Sequence, residues 1–255
     1  MVKKTSAFLK AGFISTVFAF TGATTQAQDN WSYSGNNGPQ AWHQLSPANA
    51  LCRTGQRQSP INIEGTDPVI MHRLITDYKV APIDMKNNSH SVSMTYTPGS
   101  HLRVGAKFFT LQSLSFHTPA EHTVSGESFP MSVQFKHRGP NGDWAIIEVL
   151  VKEGRENIAA QEFLNNMPIE AGQSMKSAST FVNARDLMPT DKAYYRYMGS
   201  LTTPPCSEGV SWYVLKRPVQ FSKAQIDLAK GIVGGDSARP VQARNNRMIL
   251  DARPQ

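Results

Sequence analysis

Between residues 69 and 154 apolar and polar side chains alternate with a period of two. The runs "SVSMTYT" (91–97), "HLRVGAKFFTLQSLSFH" (101–117), "MSVQFKHR" (131–138) and "WAIIEVLV" (144–151) are rich in β-branched and aromatic residues, and "TPGS" and "GPNGD" supply turns between them. This pattern predicts strands of a mainly antiparallel sheet. Helical spacing is scarce: it occurs in "SMKSASTFVNARDLM" (174–188) and in "SKAQIDLAKGI" (222–232), the second opening on Ser222 as an N-cap and closing near Gly231. No repeat and no linker divides the chain. The fold class expected is mainly β (α+β), a large sheet with short peripheral helices.

Strand geometry sorts these side chains by face. Ser113, Ser115 and His117 share one face, with Leu114 and Phe116 on the other. Ser132, Gln134 and Lys136 likewise oppose Val133, Phe135 and His137. The turn at Gly139–Gly142 folds this strand back on "WAIIEVLV", and symmetric pairing places Gln134 opposite Glu148 with Lys136 diagonal to it. One face is therefore polar across three strands. Periodicity alone reads it as the solvent face of an amphipathic sheet.

Composition changes this picture mainly at the N-terminus. The opening "MVKKTSAFLKAGFISTVFAFTGATTQAQ" sets Lys3, Lys4 and Lys10 before and beside an apolar run from Ala11 to Phe20, with small residues ending near Ala27. That order reads as a secretory signal over residues 1–27, its apolar run too short to span a bilayer; a retained membrane anchor is the alternative. Residues 28–255 then form one domain without a membrane span, periplasmic or secreted. The formal charge of +7 includes the three signal lysines and leaves about +4 for the rest. No dense basic run is interleaved with aromatics, which excludes a nucleic-acid partner and leaves a weak attraction to anionic polymers. Cys52 and Cys206 both lie in the exported portion, where an oxidising compartment favours a disulfide; two buried thiols are the other reading.

Five stretches occur in an order that is very specific: "WSYSGNNGPQAW" (31–42), "CRTGQRQSPINI" (52–63), "FHTPAEHTV" (116–124), "YMGSLTTPPCSEGVSWYVL" (197–215) and "ARPVQARNNR" (238–247). By these motifs the sequence strongly resembles the α-class carbonic anhydrases, over essentially the whole chain from Trp31 to Arg247. The resemblance implies a twisted, mostly antiparallel central sheet with a conical cleft at its middle. It also implies three histidines from two neighbouring strands holding a tetrahedral Zn²⁺, whose bound hydroxide attacks carbon dioxide. Residue by residue, Thr202 matches the threonine that accepts from the hydroxide, Glu121 its glutamate partner, and His90 the proton shuttle. Tyr33, Leu201 and Trp212 match other cleft residues. Cys52 and Cys206 match the cysteine pair of secreted bacterial members.

The resemblance breaks at the metal. Where the family carries His-x-His this chain has Ser115 and His117, and Gln134 stands at the third ligand position. The residues that orient the missing histidines are replaced by Ser113 and Ser132, and Metal-binding histidines need such partners. Lys136 stands where a small aliphatic residue is usual, and Glu148 replaces a glycine. The expectation is a secreted protein with no zinc cofactor and no hydratase activity, binding an unknown ligand or protein; the alternative is an active zinc carbonic anhydrase with an atypical site. A third reading is an adhesion module in which Arg239, Arg244 and Arg247 contact an anionic glycan. Lys136, Gln134 and Glu148 are expected to form a hydrogen-bonded network near Glu121, and Glu121 and Thr202 to satisfy one another. His122 is expected in a structural hydrogen-bond role, His137 on the opposite strand face from Gln134, and His43 and His72 at the surface. None of these, nor His101, is expected to replace a lost ligand.

Overall fold

The computed structural model describes residues 1–2 and 31–254. Beyond its first two residues, the signal segment predicted at 1–27 lies outside the described residues. In chain order the strands are β1 (Asn62–Ile63), β2 (Asp67–Met71), β3 (Leu74–Asp77), β4 (Ala81–Asn87), β5 (Val92–Thr95), β6 (His101–Val104), β7 (Lys107–His117) and β8 (Thr123–Val124). They continue with β9 (Met131–Arg138), β10 (Trp144–Glu153), β11 (Ser174–Val182), β12 (Tyr194–Ser200), β13 (Glu208–Leu215), β14 (Val219–Phe221) and β15 (Leu250–Pro254). The helices are α1 (Trp42–Leu45), α2 (Leu51–Thr54), α3 (Ile158–Asn165) and α4 (Lys223–Ile232).

Among the described residues, thirteen strands form one sheet whose main path runs β11-β4-β5-β7-β9-β10-β13-β12-β15-β2. The pairings from β11 through to β10 are antiparallel, as their alternating sequences and short turns require. Parallel pairing enters where β10 meets β13 and β14, and where β15 meets β2. The sheet is mixed but mostly antiparallel. Among the described residues no helix is long and apolar enough to cross a membrane.

Both faces of the central strands are buried, which explains runs such as "WAIIEVLV". One face packs Leu114, Phe116, Val133, Phe135, Ile147 and Val149 into the larger core, under α3 and α4. Burying each such side chain contributes about 1.5–3 kcal/mol. The other face has a smaller apolar cluster around Ile146, Leu150, Tyr197, Trp212 and Val214. The polar row predicted on β7 and β9 lies on this second face.

α4 forms as its sequence predicts. The Ser222 side chain accepts from the Gln225 amide and the Gln225 side chain accepts from the Ser222 amide, a reciprocal cap. The helical spacing at 174–188 does not give a helix. Residues Ser174–Val182 form the edge strand β11 on β4, and Ala184–Leu187 make a 3-10 turn capped by Asn183. Serine-rich sequence has modest helix propensity, and the Ser177 hydroxyl accepts from the Thr180 amide at a register shift in the strand, a local alternative to helical bonding.

Cys52 on α2 and Cys206 after β12 are joined by a disulfide. The bond lies in a cluster with Trp42, Trp31, Tyr33 and Leu45, and so pins the N-terminal aromatic segment to the loop that follows β12.

Candidate functional site

The site is assembled on β7, β9 and β10. Ser115 pairs with Gln134, Ser113 with Lys136 and His117 with Ser132 across β7 and β9, and Gln134 pairs with Glu148 across β9 and β10. The register is the one the Gly139–Gly142 turn predicts. These residues share a face, but it is not open to solvent: Ser115, His117, Ser132, Gln134 and Glu148 are all buried. The row lies beside the apolar cluster of Tyr197, Trp212 and Ile249, under segments that strand periodicity cannot see.

His117 and Glu121 are held by partners on segments that follow β14 and α4 or on the neighbouring strand. The Nδ1 of His117 lies 2.9 Å from the Ser237 carbonyl oxygen and must donate to it. Its Nε2 lies 3.2 Å from the Ser115 hydroxyl. The Gln134 Nε2 donates to Glu121 Oε2 at 2.6 Å, and the Arg239 amide donates to Glu121 Oε1 at 3.2 Å. Both Glu121 oxygens are thus engaged. Thr202 is buried and makes no hydrogen bond among the described residues, so the expected Glu121–Thr202 pair is not formed. The Glu121 carboxylate instead takes the Gln134 side-chain amide and the Arg239 main-chain amide as its donors.

A continuous chain of hydrogen bonds adjoins them. The Ser200 amide donates to the Ser59 hydroxyl at 3.0 Å, which lies 2.7 Å from the Tyr197 hydroxyl. The Tyr197 hydroxyl is 2.6 Å from His122 Nε2, and His122 Nδ1 bonds Glu148 Oε2. The hydroxyls of Ser59 and Tyr197 thus link the Ser200 amide, which must donate, to the His122–Glu148 pair. Burial pushes the Glu148 carboxyl up, but His122, Ser132 and His117 together outweigh it and hold the group below its usual range. The Tyr197 phenol is pushed well above its usual value, chiefly by burial.

The expected network of Lys136 with Gln134 and Glu148 takes a different form. Gln134 turns to Glu121 and Glu148 to His122, while Lys136 makes no hydrogen bond or ion pair among the described residues. Lys136 is partly exposed; burial draws its ammonium down, opposed by the Glu121 charge. Lys136 pairs with Ile146 across the β9–β10 ladder, and the carboxylate that acts on its ammonium is Glu121 rather than Glu148.

The other predicted residues frame this floor. His90 stacks on Trp31 with ring centroids 3.7 Å apart, and burial lowers its pKa. The Tyr33 hydroxyl is buried without a partner, and burial with the Glu121 charge raises it well above the usual phenol value. The Trp212 indole donates to the Ser200 carbonyl, and Leu201 packs at the edge of the smaller apolar cluster. His137 lies on the far face, between the Tyr78 hydroxyl and the Ala145 carbonyl. His43 is partly exposed beside Arg53, and His72 is exposed. His101 stacks on Phe108, away from the floor.

The three arginines of "ARPVQARNNR" are spent on the protein itself. Arg239 donates to the Gln58 side chain and to the carbonyls of Ser59 and Cys52. Arg244 holds the carbonyls of Glu64 and Arg247, and Arg247 those of Met198, Ala243 and Arg244. Ser59, Tyr197 and Ser237 were not singled out from the sequence. Their side-chain hydrogen-bond partners lie 75 or more residues away, and no local spacing announces them. Among the described residues no group of three or more His, Cys, Asp or Glu side chains is placed to hold a metal ion.

Comparison with known proteins places this geometry. The model of the eukaryotic-type carbonic anhydrases matches residues 37–253. A carbonic anhydrase of Neisseria gonorrhoeae is 36% identical over 244 residues, covering 95% of this chain and 96% of its own. The structure of an α-carbonic anhydrase from Thermovibrio ammonificans with the inhibitor sulfanilamide superposes with a TM-score of 0.84 at 36% identity, over 87% of this chain and 99% of that one. Dioscorin dioA3 of Dioscorea japonica is 31% identical over 250 residues, covering 92% of this chain and 91% of its own.

Proposed function

Because the chain belongs to the carbonic anhydrase family, we propose that it is a carbonic anhydrase-like protein of the periplasm or cell exterior that lacks zinc-dependent carbon dioxide hydration and binds a ligand or partner through its remodelled cleft. One observation carries this reading: the Gln134 amide, at the position the family resemblance gives to a zinc ligand, is committed as a donor to Glu121. That bond occupies the site from within. The remaining donor set is one imidazole, itself bonded by Ser115, with a hydroxyl and an amide oxygen. Structural and catalytic zinc sites use nitrogen, thiolate and carboxylate ligands in a tetrahedron, and this set does not fit one. The second layer has changed in the same sense, with the carboxylate supplied by Glu148 on β10 and spent on His122. Relatives named dioscorin rather than carbonic anhydrase also fall within the match.

Two measurements on the purified protein test this: zinc content, and carbon dioxide hydration with and without added zinc. Substoichiometric zinc and hydration at the uncatalysed rate are expected. Stoichiometric zinc with hydration that sulfanilamide abolishes would establish the active-enzyme reading instead.

A further inference from the structure

The floor of the site holds more acceptors than donors. Gln134 Oε1, Glu148 Oε1 and Ser132 Oγ are each buried without a hydrogen-bond partner among the described residues. The first two can only accept, and the third can do either. They belong together: Gln134 faces Glu148 directly across the β9–β10 ladder, Ser132 is the next residue of β9 on the same face, and the Ser132 hydroxyl acts on the Glu148 carboxyl. An unmet buried acceptor costs about 1–3 kcal/mol, and more when it is charged. The single Ser132 hydroxyl proton can serve only one of these oxygens, so whatever satisfies the rest has to bring donors or positive charge. Lys136, an unpartnered donor on the same face, bonds none of them. The neighbouring carboxylate does not compete, because both Glu121 oxygens already accept from N–H groups.

We propose that Ser132, Gln134 and Glu148 form a binding site for a small monovalent cation, an alkali ion or ammonium. A hydroxyl, an amide oxygen and a carboxylate oxygen make a hard, all-oxygen set, the kind that passes over zinc and copper. One free carboxylate oxygen matches a single charge, whereas calcium sites collect six to eight oxygens, several of them from carboxylates. The site rests on the reading that zinc has been lost, since its oxygens belong to the rebuilt floor.

Purified full-length protein, stripped of metal, is heated in sodium, potassium or ammonium chloride, with choline chloride at equal ionic strength as control. Crystals soaked in rubidium chloride are examined for anomalous scattering. The unfolding midpoint is expected to rise by about 3–5 °C for each tenfold increase in the bound cation above its dissociation constant, with no such rise in choline. Rubidium scattering is expected between Gln134 and Glu148. A response to ammonium alone, without a rubidium peak, assigns the site to ammonium. Glu148→Gln should remove the cation-specific rise, and Gln134→Leu should do so independently if Glu148→Gln folds poorly. Equal response to all four salts, or density for water alone, overturns the site. So does a cation response seen only in Lys136→Met, which would show the Lys136 ammonium filling the position itself. Stoichiometric zinc in the purified protein would defeat the proposed function instead, so the two failures are separable.

Discussion

At the scale of single residues, position was readable from the sequence and partnership was not. Alternation and one tight turn put Gln134 opposite Glu148, because register follows from turn length and from the face that must be buried. The same reasoning could not tell Gln134 to choose Glu121, since that bond joins β9 to a loop whose path depends on the whole fold. His137 offers a test at this scale. Burial lowers its pKa from 6.5 to about 4, so the unfolded chain takes up a proton before the folded one does as pH falls. Stability from this group is present above its unfolded pKa and is lost on acidification, about 3 kcal/mol between roughly pH 7 and pH 4. Urea unfolding across that range should show a steeper decline for the parent than for His137→Gln. The variant should start less stable, because Tyr78 loses its partner, and parallel curves would contradict the assignment.

Among elements, strict two-residue alternation predicts strands where strands form, whereas the serine-rich segment departs from its predicted helix. β9 spans the same residues as the predicted run, Met131–Arg138, whereas 174–188 satisfied helical spacing by coincidence and was captured by the free edge of β4. Edge pairing is a tertiary opportunity that local propensity does not register. The disulfide also acts at this level. It closes a separation of 154 residues and ties α2 to the loop after β12. Chain-entropy arguments give about 3–5 kcal/mol for a loop of that size. Reduction with a thiol should lower the urea midpoint correspondingly, with Cys52→Ser/Cys206→Ser matching the reduced protein in both redox conditions. A double variant as stable as the oxidised parent would show that the aromatic cluster around Trp42 holds the junction unaided.

For the whole molecule, the five motifs specified a family and a sheet because most of their side chains support the scaffold; Arg239, Arg244 and Arg247 illustrate this by binding main-chain carbonyls. What the resemblance implied for the site was a set of substitutions, and what local sequence hid was which partners those side chains take. Glu148 now holds His122, and its strand partner is Gln134. Restoring Ser115→His and Gln134→His, with Ser113→Gln, Ser132→Glu and Lys136→Val, would therefore set a second carboxylate beside Glu148 in a buried space, where like charges are costly. Isothermal titration with zinc is expected to show weak binding for this set and at least tenfold tighter binding once Glu148→Gly is added. Equal affinities would mean that Glu148 is no obstacle.

The chain of bonds from Glu148 through His122, Tyr197 and Ser59 ends on the amide of Ser200, immediately before Leu201 and Thr202. Ser59 and Ser200 also clasp in the other direction, the Ser59 amide donating to the Ser200 hydroxyl at 2.9 Å. The loop that borders the cleft is therefore anchored from behind, like a lever fixed to a strut that crosses under the sheet's floor. Leu201 and Thr202 are thus joined through an unbroken run of hydrogen bonds to the strand that carries Glu148.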